Sequence, residues 1–99
     1  MTAGDTIAGF VIPAVSGYMD LQTSTATQEW IVHNIYHEGD TELYRNTNLT
    51  SNQFRFDIQL SGGAWVGMFF HNTNTNFVRA RNIQASGIRL AFDGIISRE

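Results

Sequence analysis

Residues 53–60 alternate without a break, with Phe54, Phe56, Ile58 and Leu60 on one side and Arg55, Asp57 and Gln59 on the other. Strand side chains point to opposite faces with period two, so this run predicts a half-buried strand whose aromatic side meets a core. Ile88, Leu90 and Phe92 alternate with Arg89, Ala91 and Asp93 in the same way. A sheet built from such strands has one greasy face, and a second layer must cover it.

The last third of the chain, residues 64–96, extends the pattern. Apolar runs of strand length are separated by short breaks such as Asn72-Thr73-Asn74-Thr75, which reads as an antiparallel meander. Asp93-Gly94 is either a bulge in a long last strand or a hairpin turn. Upstream, residues 6–12 form an apolar run ended by Pro13, the only proline. It is read as an edge strand of the domain's own sheet, with an arm docked on a neighbouring copy as the other option. Residues 18–22 make a short strand. The β-branched and aromatic content of residues 28–37 makes a long one. Glu38-Gly39-Asp40 is read as a tight hairpin, with Gly39 at positive φ and residues 41–47 returning as the partner strand. A polar loop follows at 48–51.

That is about eight strands and no helix. The expected fold is all-β: a single antiparallel β-sandwich, jelly-roll-like, with a small barrel as the alternative. At 99 residues the chain is long enough for one domain with a core of its own.

Only 15% of the residues are charged, against the usual quarter, and the net charge is −3. All six cationic residues are arginines and none is clustered in a run, so no nucleic-acid partner is expected. Arginine without lysine suits a surface that meets other proteins. No segment reaches the ~18 apolar residues of a membrane span, and no secretion signal is evident. With no cysteine there is neither a disulfide nor a thiolate site.

Catalytic patterns are hard to find. His33 and His37 lie ~13 Å apart on a strand at ~3.3 Å per residue, too far to share a metal. His71 is a possible cross-strand neighbour of either. Glu38, Asp40 and Glu42 read as a solvated hairpin tip rather than a carboxylate pair across a cleft. Asn48-Leu49-Thr50 fits a glycosylation acceptor only formally. Neither a nucleophile elbow nor a phosphate loop is present, and no catalytic residue, metal or cofactor is assigned. Two binding surfaces remain. One is a protein interface made from Ile7, Phe10 and Ile12 of the N-terminal run together with an arginine row, Arg79, Arg81 and Arg89. Arg79 and Arg81 share a strand face with Phe77, and Arg89 is expected on the next strand. The other is a glycan platform of Trp65, Tyr18 and Tyr44 flanked by Asn- and Thr-rich loops.

Several blocks carry a family likeness: residues 29–36 (Glu-Trp-Ile-Val-His-Asn-Ile-Tyr), residues 63–75 (Gly-Ala-Trp-Val-Gly-Met-Phe-Phe-His-Asn-Thr-Asn-Thr), Val78-Arg79-Ala80-Arg81-Asn82 and Phe92-Asp93-Gly94. Over residues 28–97 the chain resembles small virion structural proteins of tailed bacteriophages, which coat or decorate heads and sometimes occur in tails. The first 27 residues show no such likeness. The resemblance implies a non-enzymatic capsid decoration (cement) protein on the virion head, made in the host cytoplasm. It would bind the major capsid protein and other copies of itself, as a homo-oligomer such as a trimer. The alternative it allows is a host-attachment module on a tail or head fibre that binds surface glycans.

Overall fold

The computed structural model of the chain describes residues 4–25, 27–47 and 53–98, and the loop at 48–51 with its formal glycosylation acceptor lies outside them. Among the described residues nine strands follow one another: β1 (Thr6–Val11), β2 (Tyr18–Asp20), β3 (Glu29–His37), β4 (Thr41–Thr47), β5 (Gln53–Gln59), β6 (Gly63–Trp65), β7 (Phe70–Asn72), β8 (Asn76–Asn82) and β9 (Leu90–Arg98). They form two antiparallel sheets, and no described residue is helical. The first sheet has the order β1-β9-β3-β6, with β7 also paired to β3. The second has the order β2-β8-β4-β5. Taken together, β6 and β7 are two halves of one edge strand interrupted at 66–69. Counted as eight, the strands pass from one sheet to the other at every step except β4 to β5, a hairpin within the second sheet; this is the connectivity of a jelly roll and makes the molecule a β-sandwich.

This topology corrects three local readings. Residues 64–96 are not a meander: β6 and β7 lie in the first sheet, β8 in the second and β9 in the first. Glu38-Gly39-Asp40 is not a hairpin but the corner that carries the chain from β3 into the other sheet. There β4 pairs with β5 and β8. Gly39 needs no positive φ; it is buried because the amide of Gln84 occupies the space a side chain would need. The physical reason is common to all three. Periodicity reports that a segment is half-buried, whereas a short connection serves a turn within a sheet and a step between sheets equally well.

The core fills the space between the sheets. Val32, Ile35 and Leu90 from the first sheet meet Leu43, Val78 and Ala80 from the second, all fully buried. Each large aliphatic side chain removed from water in this way is worth about 1.5–3 kcal/mol. Buried asparagines hold the connections. Asn82 donates through Nδ2 to the carbonyls of Pro13 and Ser86 and accepts from the Gln84 amide. Asn72 accepts from the Val78 amide at 2.7 Å and ties β7 to β8 across the sandwich.

The β3–β9 pairing has two irregularities: near its end Ser97 is an extra residue in β9, between the partners of Glu29 and Trp30, and the other lies in the middle of the sheet. Val32 is opposite Gly94 and Asn34 is opposite Asp93, so His33 is an extra residue in β3. This bulge is therefore in β3, and Asp93-Gly94 lies within an unbroken β9. A Cβ on Gly94 would collide with the Ile31 carbonyl and come within 2.7 Å of the Val32 Cα. Glycine is required there by close backbone approach, not by a turn.

Candidate functional site

The outer face of the second sheet gathers four of the residues singled out above. β2 pairs with β8 and β8 with β4, which aligns Tyr18 and Asp20 with Arg81 and Arg79, and these with Glu42 and Tyr44. The Arg79 guanidinium donates Nε to Asp20 Oδ1 at 2.6 Å and Nη2 to Oδ2 at 3.0 Å, a two-pronged, charge-assisted pair. It also lies 4.2 Å from the centre of the Tyr18 ring. The hydrogen bond to Asp20 raises the Arg79 pKa above its ordinary value. Phe77 shares this face and sits buried near the same guanidinium. Arg81 donates to the Tyr44 hydroxyl and to Ser16 Oγ. Tyr44 in turn donates to Glu42 Oε1 at 2.7 Å, and Arg55 pairs with Glu42 Oε2 at 2.8 Å.

Glu42 is the hinge of that network, with a side chain only 10% exposed. Burial alone would raise its pKa, but hydrogen bonds from Arg55 and Tyr44 and the charges of Arg55 and Arg81 prevail, and the net shift is downward. A carboxylate whose pKa is lower in the folded state stabilises the fold above its unfolded value near 4.5 and loses that contribution as pH falls through the folded value. Glu42→Gln is therefore expected to lower stability at pH 7 and to flatten the acid limb of the unfolding profile below about pH 4.5. Chemical denaturation of both proteins at several pH values checks this, and parallel profiles would contradict it.

Arg79 and Arg81 are thus engaged by acids and tyrosines of their own chain, although the buried Nε of Arg81 has no hydrogen-bond partner. Arg89 does not extend the row. It precedes β9, in the other sheet, where its backbone N–H donates to Glu38 Oε1. The carboxylates of the supposed hairpin tip are likewise ties: Glu38 holds the Arg89 amide, Asp40 holds the Ser61 amide at 2.7 Å, and Glu42 is buried.

Two proposed contact residues are closed off. Trp65 is 2% exposed, packs against His37 and donates its indole N–H to Asp57, so it offers no face to a sugar. The remaining two members of the glycan platform, Tyr18 and Tyr44, are engaged with Arg79, and with Arg81 and Glu42, respectively. Ile7 is 8% exposed, because β1 pairs with β9 as an edge strand of the domain's own sheet and turns Ile7 inward. Phe10 and Ile12 are outward, at 65% and 61% exposure.

The larger exposed surface lies where burial was expected. Every residue of β5 except Gln59 is exposed, and Phe54, Phe56, Ile58 and Leu60 stand in solvent. A bulge explains how the alternation misleads. Leu43 is opposite Asp57 while Tyr44 is opposite Arg55, which leaves Phe56 as an extra residue. A one-residue slip exchanges the faces of everything beyond it. Asp57 and Gln59 therefore turn inward to Trp65 and His37, and Ile58 joins Glu42 on the outer face. Phe54 and Phe56 face inward, but β5 is an edge strand and only the short β7 stands opposite, where Phe56 meets Phe70 at 5.8 Å. Val66 and Phe69, in the segment joining β6 to β7, are also mostly exposed. The result is an apolar seam along one side of the sandwich.

The histidines do not converge. His33 contacts the Met68 carbonyl and the edge of Phe69, His37 lies between the Gly39 carbonyl and Gln59, and His71 pairs with Glu29. Among the described residues there is no pocket and no group of three side chains placed to hold a metal ion. No protein-family model and no curated protein matches the chain.

Proposed function

We propose that this chain is a non-enzymatic virion structural protein of a tailed bacteriophage, a capsid decoration (cement) protein on the head surface. In this reading it binds across major capsid subunits and to other copies of itself. The observation that carries the reading is the seam. Five large apolar side chains, Phe54, Phe56, Leu60, Val66 and Phe69, are between 47% and 72% exposed along one side of the sandwich, with Ile58 beside them on the outer face. At about 150–250 Å² per aromatic they present on the order of 600 Å², the upper end of what a monomer leaves in water. The likeness of residues 28–97 to phage virion proteins supports the choice of partner. Nothing in the arrangement of Trp65, Tyr18 and Tyr44 favours the glycan-binding alternative.

The mechanism needs no reaction. A protein that binds neighbouring shell subunits together and loose subunits weakly raises shell stability by mass action. Many modest contacts repeated over a lattice add up through multivalency. Particles stripped of the protein are expected to lose integrity at lower temperature or internal pressure, and adding it back is expected to restore them. Stripped particles as tough as intact ones would refute the reading.

A further inference from the structure

We infer that the seam along β5 and the 66–69 segment packs on the outer face of the first sheet of a second copy, edge on face, so that copies join head to tail in a closed ring. The receiving face follows from cross-strand register. Phe10, Ala91 and Tyr36 align in one row, and Ile95 and Ile31 in another, all on the side away from the core. Ala8 lies between these rows beside Asp93. This face is lined mostly by uncharged side chains, several of them apolar. Asp93, the one acid at its centre, is occupied by Asn34 at 2.6 Å and Tyr36 at 2.7 Å, and Glu29 at the rim accepts from the Ser97 hydroxyl at 2.7 Å.

The outer face of the second sheet contrasts with it at every point. It bears Asp20, Glu42, Arg55, Arg79 and Arg81, paired among themselves, and covering it would strip water from five charges. An aromatic edge seeking a partner surface on the same chain therefore has one suitable face. The size also fits. A seam of roughly 600 Å² against a matching area on the neighbour totals about 1,200 Å², which reaches the range of specific protein interfaces. A two-fold contact of seam on seam would leave Phe10 and the face around it in water. A head-to-tail contact covers both surfaces in every copy, and such contacts close into rings or run into filaments. Packing a face over the edge also shields the unpaired backbone groups of β5, an otherwise open template for aggregation.

The chain has no cysteine, so introduced ones report contacts without background. Light scattering of the purified protein is expected to show one species of three or more copies. Phe54→Asp, at an exposed position, is expected to give a monomer with an unchanged strand spectrum. Leu60→Cys on the seam and Ala8→Cys on the face are each expected to stay unlinked when oxidised alone and to link when mixed. A monomeric parent protein, or Leu60→Cys linking to itself, overturns the inference. It rests, like the proposed function, on the exposed seam and on the presence of several copies, but assigns the seam to contacts between copies. A ring that leaves shells no tougher keeps this inference and ends that reading, while shells toughened by a monomer do the reverse.

Discussion

Gly94→Ala is expected to be among the most damaging single-methyl changes in this chain. The added Cβ would meet the Ile31 carbonyl and the Val32 Cα, which belong to the backbone of β3. β3 is held between β9 on one side and β6 and β7 on the other, so it cannot retreat without breaking a ladder. Overpacking a core usually costs about 1–3 kcal/mol through side-chain shifts. Here no side chain is available to move, and a loss of about 3–5 kcal/mol is expected, a large part of a typical total of 5–15. The midpoint of urea unfolding should fall with its slope unchanged. Gly39→Ala supplies the contrast. Its Cβ meets only the amide end of Gln84, which can swing aside at the expense of its hydrogen bond from the Asp40 amide, worth about 1 kcal/mol. Equal stability of the Gly94 variant and the parent would contradict the bulge geometry.

Trp65→Ala is expected to destabilise by about 3–5 kcal/mol, as truncation of a buried aromatic does. Trp65 closes the core near the β3–β4 corner, with His37 at 4.9 Å between ring centres and Asp57 accepting its indole proton at 2.8 Å. Trp65→Phe separates the two contributions. It keeps most of the ring and removes the donor, and because Asp57 is exposed its freed carboxylate can be hydrated, so about 1–2 kcal/mol is expected. Thermal melts of the two variants give the comparison. Any loss of surface binding in Trp65→Ala should track loss of folded protein, and a variant as stable as the parent yet defective in binding would return Trp65 to the surface.

Fold class was legible because some strands carry a period of two in their own residues and others, such as Glu29–His37, are rich in β-branched and aromatic residues. Phe54 to Leu60 and Ile88 to Phe92 announce strands in any context. The partner of each strand was not legible. Glu38-Gly39-Asp40 has the chemistry of a hairpin, and only the burial of Glu42 and the pairing of β4 with β8 reveal a step between sheets. The orientation of β5 was hidden for a related reason. A single extra residue at Phe56 reverses the faces of Asp57 and Gln59, and nothing in the sequence Phe-Arg-Phe-Asp marks a bulge. Of the interface candidates, the outward positions Phe10 and Ile12 were readable from the apolar run before Pro13. Arg79 and Arg81 were located on the right face, but their acids come from β2 and β4, which no linear reading joins to them. The exposed seam had a signal that pointed the other way. Strong alternation reads as evidence of a core, whereas on this edge strand it leaves Phe54 and Phe56 exposed.

The most direct measurement is hydrogen exchange at the β5 amides in dilute protein and in the assembled state, whether ring or particle. Exchange along Gln53–Gln59 should be fast in dilute protein and slow on assembly, while the fully buried residues of β3 and β9 change little. β5 amides that exchange equally fast in both states would mean that the seam stays open to water, and the adhesive role assigned to it would fail.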